Sequence, residues 1–237
     1  MQVIPGKELV TPKAIIFDFD ETLVSTLRFI NDAFTKVYET TQGKYGTKEE
    51  LDQKLRGPSF DITFQETFKD EYEYYKKVFL EKYYNAFENT QIEEIFKPGA
   101  QELIDFLSKQ NVPLILTSNK PFEYLDKEVK LLKVNQFFKF IIGAEDFNKI
   151  KPDPYMAFKA LNNCGITYKE GAFNRDIWLI GNHKFDLECA KNIPCTAIYY
   201  GNHVPTDYAV DCIYENHTQF KNYIETKLFN KTTEMHY

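Results

Sequence analysis

Ala14-Ile15-Ile16-Phe17-Asp18-Phe19-Asp20-Glu21-Thr22 is the stretch on which the reading of this chain turns. Four apolar residues in a row predict a short buried strand. In β geometry residues i and i+2 lie on one side. Asp18 and Asp20, just past the strand end, can therefore share one divalent cation and one phosphate. A phosphate monoester resists attack because its oxygens repel a nucleophile, and a cation with preorganised donors lowers that barrier. Ionised Asp18 can attack phosphorus. Asp20, protonated at first, can reach the leaving oxygen and then act as base for a water. Thr22 suits hydrogen-bonding the loop that fixes both. An acidic turn closing a strand is also ordinary architecture, so the motif needs support from elsewhere in the chain.

Composition frames that support. The 237 residues suit one α/β domain with a sizeable insertion, or two small domains. A 43% apolar content with plentiful aromatics permits a packed core and argues against wholesale disorder. The net charge of −6 argues against general binding to nucleic acid. No apolar run reaches the roughly 18 residues a membrane helix needs, and residues 1–12 lack the pattern of a secretory signal. Cys164, Cys189, Cys195 and Cys212 show no CxxC spacing. They read as reduced thiols, and a cytoplasmic location is expected.

Further short apolar runs read as parallel strands: Pro113–Thr117, Phe140–Ile142, Ile177–Ile180, Thr196–Tyr199 and Cys212–Tyr214. Between them Ala100, Leu103, Ile104 and Leu107 share one helix face, as do Leu125, Val129 and Leu132, and Met156, Ala157, Ala160 and Leu161. This alternation predicts a Rossmann-like parallel sheet flanked by helices. From Ser25 to Lys97 no strand pattern occurs. Leu27, Ile30, Phe34, Val37 and Tyr38 mark one helix; Tyr72, Tyr75, Val78, Phe79, Tyr83, Ala86 and Phe87 mark a longer one. The expected organisation is an α/β core of residues 1–24 and 98–237 with an all-helical insert, 25–97, after the first strand. An insert at that point would stand over the carboxyl ends of the sheet, where ligands bind in open α/β folds. The tyrosines of the longer helix have mixed Glu and Lys neighbours and read as a packed face rather than a nucleic-acid stacking platform.

Three more polar clusters follow strands. In Thr117-Ser118-Asn119-Lys120 a hydroxyl can donate to a phosphate oxygen, helped by free N–H groups of a following helix; Ser-Asn is equally N-cap chemistry. In Lys151-Pro152-Asp153-Pro154 the lysine can neutralise the attacking carboxylate and the phosphate, on a backbone restricted by proline. The alternative is a solvated lysine ahead of a helix. In Gly181-Asn182-His183-Lys184-Phe185-Asp186, Asn182 and Asp186 offer oxygen ligands of the kind Mg²⁺ takes. Asp186 also suits a helix N-cap, and His183 has no partner in sequence and reads as exposed.

The ordered set, Asp-x-Asp-x-Thr, Ser-Asn, Lys-Pro and Gly-Asn-x-x-x-Asp, resembles the haloacid dehalogenase superfamily of phosphohydrolases, from about Pro12 to Tyr223. Pro98-Gly99-Ala100 through Pro121, with Ile150-Lys151-Pro152-Asp153-Pro154, is most similar to its phosphoglycolate-phosphatase-like branch, which carries a helical cap after the first motif. The resemblance implies Asp18 as nucleophile and Asp20 as general acid/base. It implies Ser118 and Lys151 on the transferring phosphoryl group, with Thr22 and Asn119 beside it. Mg²⁺ would be held by Asp18, the Asp20 carbonyl and the last loop, Asn182 and Asp186. The loop at Arg56-Gly57-Pro58-Ser59 matches a region that approaches substrate, where the Arg56 guanidinium suits an anion. Two positions depart from the pattern: Glu21 stands where Gly or Asn is frequent, and Asn182 where most relatives carry Asp, which removes one negative charge.

The expected activity is Mg²⁺-dependent hydrolysis of a small phosphorylated metabolite through a phospho-aspartyl intermediate on Asp18. Partners other than that phosphate ester, including nucleic acid and membrane, are not expected, and no feature specifies an oligomeric state. Alternatives are a regulatory or binding protein of the same fold with weak turnover, for which Asn182 is the support, and a phosphonatase or phosphomutase. Mutases of this branch use a cap histidine, whereas His183, His203, His217 and His236 all lie outside the insert. A phosphonatase needs a cap lysine, and lysines abound there. Dehalogenases resemble a chain lacking the second carboxylate, and Asp20 is present.

Overall fold

The structure, a computed structural model, describes residues 1–55 and 60–230. The chain divides into two compact units, Met1–Val24 with Phe96–Tyr237, and Ser25–Ile95. The return from the insert thus falls at Phe96, two residues before the expected boundary.

Among the described residues the first unit holds one seven-stranded sheet: β1 (Gln2–Val3), β2 (Ala14–Asp18), β3 (Leu114–Pro121), β4 (Phe140–Ala144), β5 (Asn174–Gly181), β6 (Cys195–Tyr200) and β7 (Cys212–Tyr214). Their order is β1-β7-β6-β5-β2-β3-β4. All pairings are parallel except β1 against β7. β1 carries no apolar run, and its pattern was not legible as a strand; its partner β7 supplies the ladder. β2 lies in the interior of the sheet, between β5 and β3, and Ala14, Ile15, Ile16 and Phe17 are buried on both faces, as a strand covered by helices on each side requires. The chain leaves β2 for β3 and β4 on one side, then crosses to β5, β6 and β7 on the other. The crevice at such a reversal is where open parallel sheets bind ligands. Parallel pairing brings the carboxyl ends of β2, β3 and β5 to one edge, with Asp18 beside Thr117 and Phe17 beside Ile180.

The sequence expects β3 to stop at Thr117 before a helix. It runs instead to Pro121, with its ladder to β4 interrupted between Thr117 and Pro121. Ser118, Asn119 and Lys120 occupy that irregular stretch, a device that re-aims side chains near active sites. The expectation that a helix N-terminus directly follows Ser118 is therefore corrected, since the helix begins only at Phe122.

The helices of this unit are numbered after the five of the insert: α6 (Ala100–Ser108), α7 (Phe122–Leu131), α8 (Tyr155–Asn163), α9 (Lys184–Asn192) and α10 (His217–Ile224). Their apolar faces bury as the periodicity predicts: Ala100, Leu103, Ile104 and Leu107 on α6, and Met156, Ala157, Ala160 and Leu161 on α8. The α8 face packs with Leu187 and Ala190 of α9 on Ile16, Ile115, Ile142 and Leu179 of the sheet.

The second unit is helical: α1 (Leu27–Thr41), α2 (Lys48–Leu55), α3 (Phe60–Phe68), α4 (Tyr72–Glu88) and α5 (Ile92–Ile95). Its core is a file of aromatic rings. Phe34 meets Phe79 at 5.0 Å between centroids, Phe68 meets Tyr75 at 4.3 Å, and Phe29 meets Phe87 at 5.4 Å. Tyr75, Phe79, Tyr83 and Phe87 are buried, so the α4 aromatics are a packed face. On α1 the buried set is Phe29, Ala33, Phe34, Val37 and Thr41, whereas Leu27 is exposed. The expected stripe through Leu27, Ile30 and Tyr38 is rotated, because the large Phe29 ring packs between Tyr83 and Phe87. No helix among the described residues is long and apolar enough to cross a membrane, and all four cysteines are free thiols.

Gly143 on β4 passes so close to the β3–α7 junction that a Cβ there would lie 2.6 Å from the Lys120 carbonyl oxygen and 2.7 Å from the Phe122 Cα. Both obstacles are main chain. Gly143→Ala should therefore lower unfolding free energy by about 1–3 kcal/mol, read as a lower urea midpoint with an unchanged slope.

Candidate active site

Asp18 ends β2 and is almost fully buried. Its Oδ1 accepts from Lys151 Nζ at 2.6 Å, and its Oδ2 accepts from Thr22 Oγ1 at 2.8 Å. Lys151, 4% exposed, also donates to Asp186 Oδ1 at 2.7 Å and to the Thr117 carbonyl at 3.2 Å. The loop bearing Lys151 is tied to β3 by a reciprocal pair: Asn119 Nδ2 donates to the Lys151 carbonyl and the Lys151 N–H donates to Asn119 Oδ1, both at 2.8 Å. Asn119 was expected beside the phosphate. Its amide oxygen and nitrogen both engage this main chain, which ties Lys151 to β3.

Asp186 lies in the first turn of α9, where a negative charge is favoured by the helix dipole. Its Oδ2 accepts from the His183 N–H at 3.0 Å while Oδ1 serves Lys151. His183 is the N-cap, its Nδ1 accepting from the Phe185 N–H. These hydrogen bonds engage both Asp186 oxygens and make the residue an anchor for Lys151. Gly181 leaves room for that carboxyl group, since a Cβ there would lie 2.3 Å from Asp186 Cγ.

Burial and the neighbouring Asp186 carboxylate push the Asp18 carboxyl up to about 7, against the downward pull of Lys151. Burial works against the Lys151 ammonium, yet Asp18 and Asp186 hold it above the usual lysine range. The cluster contains two carboxylates and one ammonium, so a bound cation would relieve its electrostatics.

Thr22 connects this cluster to the last loop. Its hydroxyl, besides donating to Asp18, lies 3.2 Å from Asn182 Oδ1. One carboxylate oxygen and one amide oxygen thus converge on the same hydroxyl. Among the described residues no three His, Cys, Asp or Glu side chains group to hold a metal ion. Mg²⁺ does not require such a cage: it takes oxygen donors, keeps waters, and is commonly held by one or two carboxylates with substrate phosphate. Asp18 and Asn182 fit that kind of site.

Asp20 is held separately. Its Oδ1 pairs with Lys120 Nζ at 2.8 Å, and its Oδ2 accepts from Ser118 Oγ at 3.3 Å. Lys120 Nζ also reaches Glu128 Oε2 on α7 at 2.5 Å. Burial opposes the Lys120 charge, and Asp20 and Glu128 raise it above the usual lysine range. Sequence reasoning assigned nothing to this pair. A signal was present: Glu128 falls between Leu125 and Val129 on the apolar stripe of α7, and it is 1% exposed.

His217 also escaped assignment. Fully buried, it places Nε2 2.9 Å from the Thr22 carbonyl and Nδ1 3.1 Å from the Tyr214 hydroxyl, with its ring stacked on Tyr200. A carbonyl only accepts, so Nε2 carries the proton and Nδ1 accepts from Tyr214. Burial lowers the imidazole to about 4. Glu21 adopts a left-handed φ of 58° and pairs with Lys97 at 2.6 Å. Arg56 lies outside the described residues.

A parallel sheet in which an interior strand ends in an aspartate paired to a lysine from a later loop is the arrangement that the resemblance to phosphohydrolases implies. The chain belongs to the haloacid dehalogenase-like hydrolase family, whose model matches residues 15–199. Phosphoglycolate phosphatase of Pseudomonas fluorescens is 26% identical over 214 residues, covering 85% of this chain and 74% of the relative. Pyrophosphatase PpaX of Halalkalibacterium halodurans is 27% identical over 179 residues, covering 75% and 78%. Among solved structures, a haloacid dehalogenase-superfamily hydrolase from Ehrlichia chaffeensis has a TM-score of 0.60 at 24% identity, over 94% of this chain and 100% of that one. A β-phosphoglucomutase from Clostridium difficile has a TM-score of 0.72 at 15% identity, over 91% and 96%. These structural likenesses speak for the fold.

The His217 geometry carries a pH dependence. Its folded-state value lies below the ordinary 6.5, so its contribution to stability is complete above pH 6.5 and is lost as pH falls toward 4. The loss is about 3 kcal/mol at most. His217→Gln preserves a donor and an acceptor without a titrating group. Urea-unfolding free energies of the two proteins should therefore converge as pH is lowered from 7 to 4.5.

Proposed function

We propose that this chain is a phosphoric monoester hydrolase that cleaves a small phosphorylated metabolite by way of a phospho-aspartyl intermediate on Asp18. The observation that carries this reading is the buried Asp18 carboxylate, 2.6 Å from Lys151 Nζ at the edge of the sheet, with Asp20 two residues further on. Family membership and relatives named as phosphatases support it.

In the first half-reaction Asp18 attacks phosphorus, the bond from phosphorus to the ester oxygen breaks, and Asp20 gives that oxygen its proton, so that an alcohol departs. In the second, water attacks the acyl phosphate. Asp20 takes a proton from that water, the Asp18–phosphorus bond breaks, and inorganic phosphate leaves with the Asp18 carboxylate restored. Lys151 stabilises negative charge on both the carboxylate and the transferring group, while Asp186 and Asn119 keep it there. The Ser118 hydroxyl, which donates to Asp20 Oδ2 at 3.3 Å before substrate arrives, would turn that one proton to a phosphoryl oxygen of the bound ester. Mg²⁺, held by Asp18, the Asp20 carbonyl and Asn182, would supply further neutralisation of charge. Asp186, expected in the same ligand set, also braces Lys151. The helical unit, Ser25–Ile95, corresponds to the cap domain that the resemblance implies. The relatives named phosphoglycolate phosphatase favour a small phosphorylated acid as substrate, and the reduced cysteines accord with a cytoplasmic location.

Asn182 supports a second reading, a binding or regulatory protein with weak turnover, because an amide brings no charge to the cation. Stoichiometric capture of fluoroberyllate on Asp18 in the presence of Mg²⁺ would exclude it.

Asp18→Asn should reduce hydrolysis of 4-nitrophenyl phosphate on the order of 10³-fold or more; unchanged turnover would sink the nucleophile assignment. Asn182→Asp should lower the Mg²⁺ concentration giving half-maximal activity by about tenfold, measured by titration of the EDTA-treated protein.

A further inference from the structure

The two carboxylates of the Asp-x-Asp motif are provided for in the same way. Asp18 has Lys151, which is anchored by Asp186 from α9. Asp20 has Lys120, which is anchored by Glu128 from α7. In each case one ammonium is shared between an aspartate of the motif and a buried acid on a helix.

We propose that Lys120 and Glu128 are positioning residues for Asp20, holding its carboxyl group in the orientation from which it serves the leaving oxygen. The proposal rests on the phosphatase reading, in which Asp20 is the general acid and base.

Three observations support it. First, Glu128 is 1% exposed on a helix face it shares with Leu125 and Val129. An ionised group there is costly unless paired, and an apolar side chain packs at such a position at lower cost. Packing therefore does not account for a carboxylate at this position. Second, Lys120 is constrained on several sides. Besides its pairs with Glu128 and Asp20, its ammonium lies 5.3 Å from the centre of the Phe19 ring, the residue between the two aspartates. Third, the main chain of Lys120 takes part as well. Its N–H donates to Ser118 Oγ at 3.1 Å, which leaves the Ser118 hydroxyl proton for Asp20 Oδ2. One residue thus orders a hydrogen-bond partner on each oxygen of the Asp20 carboxyl, by its side chain on Oδ1 and through Ser118 on Oδ2. The irregular β3 stretch sets Ser118 and Lys120 in register to do so.

The consequence is specific to one step. A group that needs protonation to leave depends on where the Asp20 proton is aimed, whereas 4-nitrophenolate departs readily without it. Loss of the anchor should therefore be felt most by esters of poor leaving groups. The test compares kcat on benzyl phosphate and 4-nitrophenyl phosphate, two aromatic esters of similar size. Glu128→Gln and Lys120→Met should each raise the ratio of 4-nitrophenyl to benzyl turnover by about tenfold or more, in the direction of Asp20→Asn. Because half of a buried pair can unfold a protein, the double variant Lys120→Met/Glu128→Leu removes both charges and keeps an apolar fill. It should show the same shift, with a native circular dichroism spectrum. A folded variant that loses activity equally on both esters, or on neither, overturns the proposal while leaving the phosphatase reading intact. If Asp20→Asn itself shows no leaving-group dependence, or the wild-type protein cleaves neither ester, the underlying reading fails and the proposal with it.

Discussion

One buried ammonium organises this molecule's site. Lys151 stands between Asp18 and Asp186, 2.6 and 2.7 Å away, at the carboxyl edge of the sheet. Without it two carboxylates would face each other out of water, and removal of one partner from such an arrangement costs about 3–5 kcal/mol. Much of the surrounding structure keeps the lysine where it is. Asn119 ties its main chain to β3, Gly181 makes room for its Asp186 anchor, and the start of α9 orients that anchor through the His183 N–H.

The same constraint explains why the site is built from separate segments. Burial raises the pKa of a carboxyl group toward protonation; at Asp18 burial and Asp186 do so, and Lys151 opposes them. A neighbour in sequence could not provide this without leaving the sheet. A side chain from a strand-crossing loop can, because parallel pairing carries several strand ends to one edge. The Asp20 side repeats the solution with Lys120 and Glu128. His217 serves from below, binding the Thr22 carbonyl and so fixing the turn that presents Thr22 to both Asp18 and Asn182.

Much of this was legible beforehand. The apolar runs at Ala14–Phe17 and Ile177–Ile180 marked strands because only a doubly covered sheet accepts such uniform burial. The stripes on α6 and α8 named their buried faces residue by residue. The motifs placed Asp18 and Asn182 at strand ends, whereas Ser118 lies within the longer β3 and Lys151 in a turn beyond β4. Where the reading missed, long-range partners had decided. The Leu27 stripe of α1 gave way to Phe29, since aromatic rings on α4 set which face packs. β1 exists only because β7 pairs with it.

By itself the amino-acid order determined a parallel α/β sheet, a helical insert after its first strand, and a set of polar clusters at the sheet's edge. Those follow from hydrophobic periodicity and from strand-end chemistry, which are local properties. Tertiary structure alone decided that Asp186 braces a lysine, that Lys120 and Glu128 attend Asp20, and that His217 carries its proton on Nε2. Each of these depends on a partner between 8 and 195 positions away in the chain. Charge pairing and hydrogen bonding act over a few ångströms of space, and separation along the chain says nothing about them until the fold has closed.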